Sequence, residues 1–207
     1  MIVFLERMGS AVCHQMAERS LLFDGMQMPL CARCTGIYTG AFFAFCFFFL
    51  KKRMGAGSSF SLAEAILTGL AILPVGIDGV GSYLGLWESS QFLRILTGSI
   101  VGVVSPGFLL LAGNFEPSGK NEGFLYEKTM ELLLLMAVSV GFGVCLLAGL
   151  PLFWLGTVFS VAGEVLLWSG IVWLVLKNIL KNRNLPYWRI SIVIAFFALF
   201  LIGGVIS

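Results

Sequence analysis

Apolar residues run through this chain in six long blocks separated by short polar links, a pattern that fits neither a half-buried strand nor the one-sided stripe of a soluble helix. The blocks are Ala32–Leu50, Leu62–Leu84, Leu93–Gly113, Leu132–Gly149, Pro151–Leu176 and Ile190–Ile206. Each is close to the about 20 residues that carry a helix across a ~30 Å hydrocarbon layer. As one helix, the stretch from Leu132 to Leu176 would be about 67 Å long at 1.5 Å per residue, twice the membrane. Gly149-Leu150-Pro151 is therefore read as a tight turn between two spans. Pro74, Gly76, Gly79 and Gly81 predict a second span that is kinked or partly unwound toward its end. Ahead of the first block, Ile2, Leu5, Met8 and Val12 recur at helical spacing, which predicts an amphipathic helix lying on the membrane or against the bundle. Asp24-Gly25 breaks that helix and Pro29 precedes the first span. The expected fold is thus all-α: a polytopic membrane bundle of about six transmembrane helices, preceded by an N-terminal amphipathic helix. Residues 1–30 form the amphipathic segment, residues 31–207 the bundle, and the two make one domain.

Composition agrees. Of the 207 residues 58% are hydrophobic and 12% charged, and mean hydropathy is +0.97, whereas soluble domains carry about 25% charge. The first residues, Met1 to Leu5 followed by Glu6-Arg7, lack a basic region ahead of a long apolar core, which argues against a cleaved signal peptide. No repeat and no basic patch of nucleic-acid size is visible, so no nucleic-acid partner is expected, and a net charge of +2 says little about partners. The distribution of charge says more than its sum. Lys51-Lys52-Arg53, Lys120 and Lys128, and Lys177, Lys181, Arg183 and Arg189 fall in links that alternate to one side of a six-span chain. The links 85–92 and around Leu150 carry no Lys or Arg. The positive-inside rule then puts the basic links in the cytoplasm and both termini outside, with Arg7, Arg19 and Arg33 as exceptions on the outer side.

That topology gathers the reactive residues at the outer face. Cys13-His14 and Cys31-Ala-Arg-Cys34 place the only histidine and three of the five cysteines within 22 residues. Cys31 and Cys34 can hold two corners of a tetrahedron and Cys13 a third; His14, Asp24, water or a substrate could supply the fourth. Cys13 and His14 can share one ion only where the backbone is not helical, because adjacent residues on a helix diverge. Zinc is the metal such ligands suggest. The same atoms suit a redox dithiol, since a helix N-terminus and Arg33 favour a thiolate at Cys31. A structural disulfide is the plain alternative, and Cys46 and Cys145 read as packing residues. Asp78 and Arg94 are charges close to the hydrocarbon, and the simplest arrangement pairs them. Functionally, Arg94 would anchor an anionic headgroup or phosphate, and Asp78 would serve as ligand or base. Gly36-x-x-x-Gly40 and Gly98-x-x-x-Gly102 allow the first and third spans to pack closely, which would bring Cys31, Cys34 and Arg94 to one depth. Glu164, on a stripe with Gly156, Ser160 and Trp168, is either a proton or ion relay or a neutral packing carboxyl.

Cys13-His14-Gln15, Glu18-Arg19-Ser20 and Pro29-Leu-Cys-Ala-Arg-Cys-Thr-Gly-Ile-Tyr38 together resemble the signature of a prokaryotic membrane-protein family, a domain of unknown function. Pro74…Asp78-Gly79 and Arg94-Ile-Leu-Thr97-Gly98 match its later elements, whereas Val80-Gly81 departs from the polar residues that follow Asp-Gly in the family. The resemblance covers the first half of the chain. It implies a multi-pass protein of the prokaryotic cytoplasmic membrane and supplies no reaction. The expectation is a zinc site of Cys13, His14, Cys31 and Cys34 on the outer face. Asp78, Arg94 and Glu18 are candidate catalytic groups, with Arg19 beside them, and the substrate is membrane lipid or a lipid-linked or anionic small molecule. A thiol–disulfide oxidoreductase using Cys31 and Cys34, and a small transporter using Asp78 and Glu164, are the competing readings.

Overall fold

Six helices long and apolar enough to cross a membrane carry the fold in the computed structural model, which describes residues 2–58, 61–116, 121, 123–180 and 186–206. In chain order the elements are α1 (Ile2–Ser10), a 3-10 turn (Ala17–Arg19), β1 (Ser20–Phe23), β2 (Met26–Cys31), α2 (Ala32–Leu50), α3 (Leu62–Tyr83), α4 (Gln91–Asn114), α5 (Thr129–Leu147), α6 (Phe153–Leu180) and α7 (Tyr187–Ile206). The spans α2 to α7 match the six predicted blocks, and the fold is a polytopic helix bundle. In α3 and α4 the exposed first turn is closed by a serine. Ser61 and Glu64 form a reciprocal capping box, with Ser61 Oγ accepting from Glu64 N at 3.3 Å and Glu64 Oε2 accepting from Ser61 N at 2.9 Å. Ser90 Oγ accepts from Leu93 N at 3.2 Å. Between α5 and α6 the chain reverses at Gly149, whose φ of +71° suits glycine, as the Gly-Leu-Pro turn predicts. The unwinding expected in α3 does not occur: the helix continues past Pro74 to Tyr83. Backbone groups at that depth have no water to turn to, so keeping the remaining helical bonds wins.

The N-terminal segment departs further from expectation. Its helix ends at Ser10 rather than running on toward Asp24, and a two-stranded antiparallel hairpin follows. The turn is Asp24-Gly25 with φ of +47° and +81°, the conformation that Asp-Gly supplies to tight hairpins. The hairpin sits on the bundle through Leu21, Phe23 and Met28, which pack with Ile95, Leu146 and Phe153.

Glycine decides the tightest helix contact, between α2 and α4. A Cβ at Gly36 would lie 2.7 Å from the Ile95 carbonyl and 2.8 Å from the Ser99 nitrogen, and those at Gly98 and Gly102 would collide with the carbonyls of Arg33 and Ile37. Backbone meets backbone here, as the paired Gly-x-x-x-Gly motifs predict. At the far end of the bundle, Arg53 ties the link after α2 to the start of α5, with Glu127 at 2.7 Å and Glu131 at 2.6 Å, and donates to the Leu125 carbonyl at 3.1 Å. Lys177 donates to Asn114 Oδ1 at 2.9 Å across the same end. The described basic links therefore share one end of the molecule and the hairpin occupies the other. Lys120, Lys181 and Arg183 lie outside the described residues.

Candidate functional site

Three sulfurs converge beneath the hairpin: those of Cys13, Cys31 and Cys34 all lie within 4.8 Å of one another. Each arrives by a different local device. Cys13 follows the end of α1, where its amide still donates to the Gly9 carbonyl at 3.0 Å. The chain then turns sharply at Gln15, whose φ is +49°. Gln15 pins this turn, its side-chain amide donating to the Glu6 carbonyl at 2.7 Å and the Pro29 carbonyl at 2.8 Å, while Gln27 donates to the Gln15 carbonyl at 2.7 Å. Cys31 ends β2 and is the N-cap of α2, and its amide donates to Cys13 Sγ at 3.3 Å. Cys34 stands in the first turn of α2 on the same side, as i and i+3 positions do.

Such sulfurs suit a soft metal. A tetrahedral zinc with Zn–S of ~2.3 Å separates its sulfurs by about 3.8 Å, so a contraction of an ångström or less would close this set around an ion. The cluster is partly shielded: Cys13 is 8% exposed, and Cys31 and Cys34 are half-buried. All five cysteines are free thiols. Hydrogen bonds from Cys13 and then Cys34 pull the Cys31 thiol down to about 2, and the bond to Cys31 is the main reason Cys13 is pushed up. The shared hydrogen bonds thus favour a thiolate at Cys31 over one at Cys13. His14 is exposed and stays outside the three-sulfur set, on the wall of the same cavity. The backbone between Cys13 and His14 is irregular, which is the condition for both to face one ion. Cys46 and Cys145 lie elsewhere, Cys46 in an apolar cavity beside Phe45 and Phe49.

The polar groups around the sulfurs form two cavities of about 430 Å³ each. The first is walled by Cys13, His14, Cys31 and Cys34, the second by Glu18, Trp87, Gln91 and Arg94, and Arg19 and Ser82 line both. Arg94, 8% exposed, sits in the first turn of α4 at the level of the hairpin. Gln91, one turn before it, donates to the Ser20 carbonyl at 3.3 Å and ties α4 to β1. The expected pairing of Asp78 with Arg94 is corrected by the structure: Asp78 pairs with Arg33. The glycine-mediated approach of α2 to α4 brings Arg33 across Gly98 toward α3, where it lies beside Gly79, and Asp78 takes the nearer cation. Glu18 and Arg19 are exposed on the 3-10 turn above the second cavity. Glu164 is apart from all of these, fully buried on α6 with neither carboxylate oxygen hydrogen-bonded among the described residues. Sequence reasoning gave Arg33 only a charge beside Cys31 and missed it as the partner of Asp78, and it left Ser82 without a place at the site. Their positions in the Cys-Ala-Arg-Cys motif and one turn after Asp78 were the available signals.

A model of a family described as predicted membrane protein (DUF2085) matches residues 13–106, a segment that holds every residue of both cavities except Val12. An uncharacterised protein of Methanocaldococcus jannaschii is 36% identical over 102 residues, which are 49% of this chain and 63% of that protein. An uncharacterised protein of Methanothermobacter thermautotrophicus is 38% identical over 92 residues, 44% of this chain and 78% of that protein. The chain thus spans less than two thirds of the first of these relatives. No solved structure matches the chain.

Proposed function

Given that the chain belongs to the predicted membrane protein family DUF2085, we propose that it is a metal-dependent membrane enzyme whose zinc is held by Cys13, Cys31 and Cys34. The convergence of three sulfurs within 4.8 Å carries this reading. Three protein ligands with a fourth position free is the arrangement of catalytic zinc, and the cavity beside the sulfurs leaves room for water or a substrate atom there. A metal in that position supplies Lewis acidity toward a bound carbonyl or phosphoryl oxygen. His14, on the cavity wall outside the three-sulfur set, would be the protein group to take the fourth position.

The remaining groups have separable roles. Arg94 faces the adjoining cavity and binds the anionic part of an amphipathic or lipid-linked substrate. Asp78 holds Arg33 beside the thiols and acts by positioning it. Glu18, exposed above the second cavity, is the carboxylate free to accept a proton from attacking water. The site faces the outer side of the prokaryotic cytoplasmic membrane, with both termini on that side, because the basic links collect at the opposite end.

The second reading is a thiol–disulfide oxidoreductase. The lowered Cys31 thiol beside Cys34 favours it, since a stabilised thiolate is the usual attacking or leaving group of such pairs. One experiment separates the two. Elemental analysis of purified protein, with thiols counted before and after reduction, should find about one zinc per chain and no disulfide. A Cys31→Ser, Cys34→Ser protein should lose most of that metal, while Cys46→Ser keeps it. Stoichiometric metal in the double variant would sink the metal reading, and two thiols gained on reduction of metal-free wild-type protein would favour the redox one.

A further inference from the structure

Arg94 carries a positive charge into a buried position where no described residue bonds to it. It is 8% exposed, yet among the described residues its guanidinium makes no hydrogen bond or ion pair. A largely buried cation without a bonded partner is costly, and the Arg94 nitrogens keep access only to the cavity, where a ligand would complete them. Its surroundings add to the demand. Arg94 lies in the first turn of the 24-residue helix α4, at the positive end of the helix dipole, and that turn has no acidic residue. Arg19 comes from the 3-10 turn above. The nearby acidic groups form no ion pair with Arg94: Asp78 is taken by Arg33, Glu18 and Glu88 are exposed on the cavity wall, and Cys31 and Asp78 attract it without contact.

We propose that this second cavity is a phosphate site. Arg94 is its buried anchor, Arg19 its closing cation and Ser82 its neutral donor. Several donors converging from different elements suit the tetrahedral oxyanion of a phosphate group, with the planar fork of arginine taking two of its oxygens. Trp87 lies on the wall, and the flanking Leu84 and Leu86 are 63% and 67% exposed, which sets the cavity at headgroup depth with apolar surface beside it. A phosphate there stands on one side of Arg19 and Ser82 while the three sulfurs stand on the other, so the two cavities read as adjoining parts of one substrate site. This deepens the metal-enzyme reading and rests on it for its catalytic meaning, but none of the phosphate donors is a metal ligand.

Binding to protein purified in detergent and free of phosphate tests the proposal. The probes are inorganic phosphate, mixed micelles containing a lipid with a phosphomonoester headgroup, and the same micelles with a zwitterionic lipid. Wild-type protein should bind the phosphomonoester lipid and melt at a higher temperature with it than with the zwitterionic one. Arg94→Gln should weaken that binding at least tenfold, and Arg94→Lys should fall between, because lysine keeps the charge and loses the fork. Without phosphate, Arg94→Gln should melt no lower than wild type, since an unanswered buried charge has been removed; a merely structural arginine would lower it. The Cys31→Ser, Cys34→Ser protein should still bind phosphate after losing metal, so a failed metal site and a failed phosphate site give different results. Binding of inorganic phosphate but not of the lipid would support the site and assign it to a soluble phosphate. Equal affinity in wild type and Arg94→Gln, no binding of either probe, or a lower melting point of phosphate-free Arg94→Gln would overturn it. Should Arg94→Gln fail to fold, that counts against the proposal, and unchanged affinity in Arg19→Gln would do so independently.

Discussion

Cys31 shows how much chemistry one residue gains from its neighbours. At the end of β2 and the cap of α2 it receives sulfur contacts from two sides, and its thiol is held far below the ordinary thiol range while that of Cys13 is raised. A lowered thiol pKa leaves the thiolate populated as pH falls, and a raised one delays it as pH rises. In reduced, metal-free protein Cys31 should therefore be alkylated by iodoacetamide already at pH 6, and Cys13 only above about pH 9. Peptide mapping by mass spectrometry reads this out, and a Cys31 inert below pH 8 would contradict it. Arg33 and Asp78 are coupled in the same local sense. Asp78 is 4% exposed and the Arg33 side chain 23%, so removing one partner should cost roughly 2–4 kcal/mol, toward the lower side of what fully buried pairs lose. The double variant Arg33→Gln, Asp78→Asn should lose less than the sum of the single changes. Additive losses in thermal unfolding would show that the contact carries no energy.

Helices α2 and α4 position the site through four glycines, and this is where a methyl group matters most. Apolar side chains drive little association in lipid, so close backbone approach and its dispersion contacts hold these two helices together. At Gly98 the opposing atom is the Arg33 carbonyl, which cannot rotate away as a side chain could. Gly98→Leu should thus destabilise by about 3 kcal/mol, the upper part of what overpacking costs, and should reduce metal content as Cys34 shifts from Cys13. Gly76 on α3 has nothing within 4 Å of a Cβ, so Gly76→Ala should be neutral or slightly stabilising. Equal melting temperatures for Gly98→Leu and wild type would mean that the glycine contact is dispensable. The hairpin works differently. Its Asp-Gly turn and its paired strands present Ser20 opposite Cys31, so the strand that carries Cys31 is held by pairing before α2 begins.

For the whole molecule the outstanding choice is orientation. The described basic links and the thiol cluster lie at opposite ends of the bundle, and the positive-inside rule then predicts a site on the outer side. Lys52 and Glu88 are both exposed, one at each end. In a background with the five native cysteines replaced, an impermeant maleimide applied to intact cells should label Glu88→Cys and spare Lys52→Cys. The reverse pattern would place the site in the cytoplasm.

Six spans, the turn at Gly149 and the glycine contact were legible in the residue order, because a bilayer imposes length and hydropathy on each span separately and small residues mark where helices meet. The Cys13, Cys31, Cys34 set was legible for a similar reason: few residue types bind soft metals, and three stand close in the chain. The hairpin also left a signal, Asp24-Gly25 between Leu21-Leu22-Phe23 and Met26, which the helical spacing of the preceding residues obscured. The ion partners had no such signal. Whether Asp78 meets Arg33 or Arg94 depends on how closely α2 approaches α4 and how α3 lies over both. That is a property of three packed helices, and residue order alone does not contain it. Only the tertiary structure, likewise, shows Arg94 buried with no hydrogen bond or ion pair among the described residues, the observation from which the phosphate site is proposed.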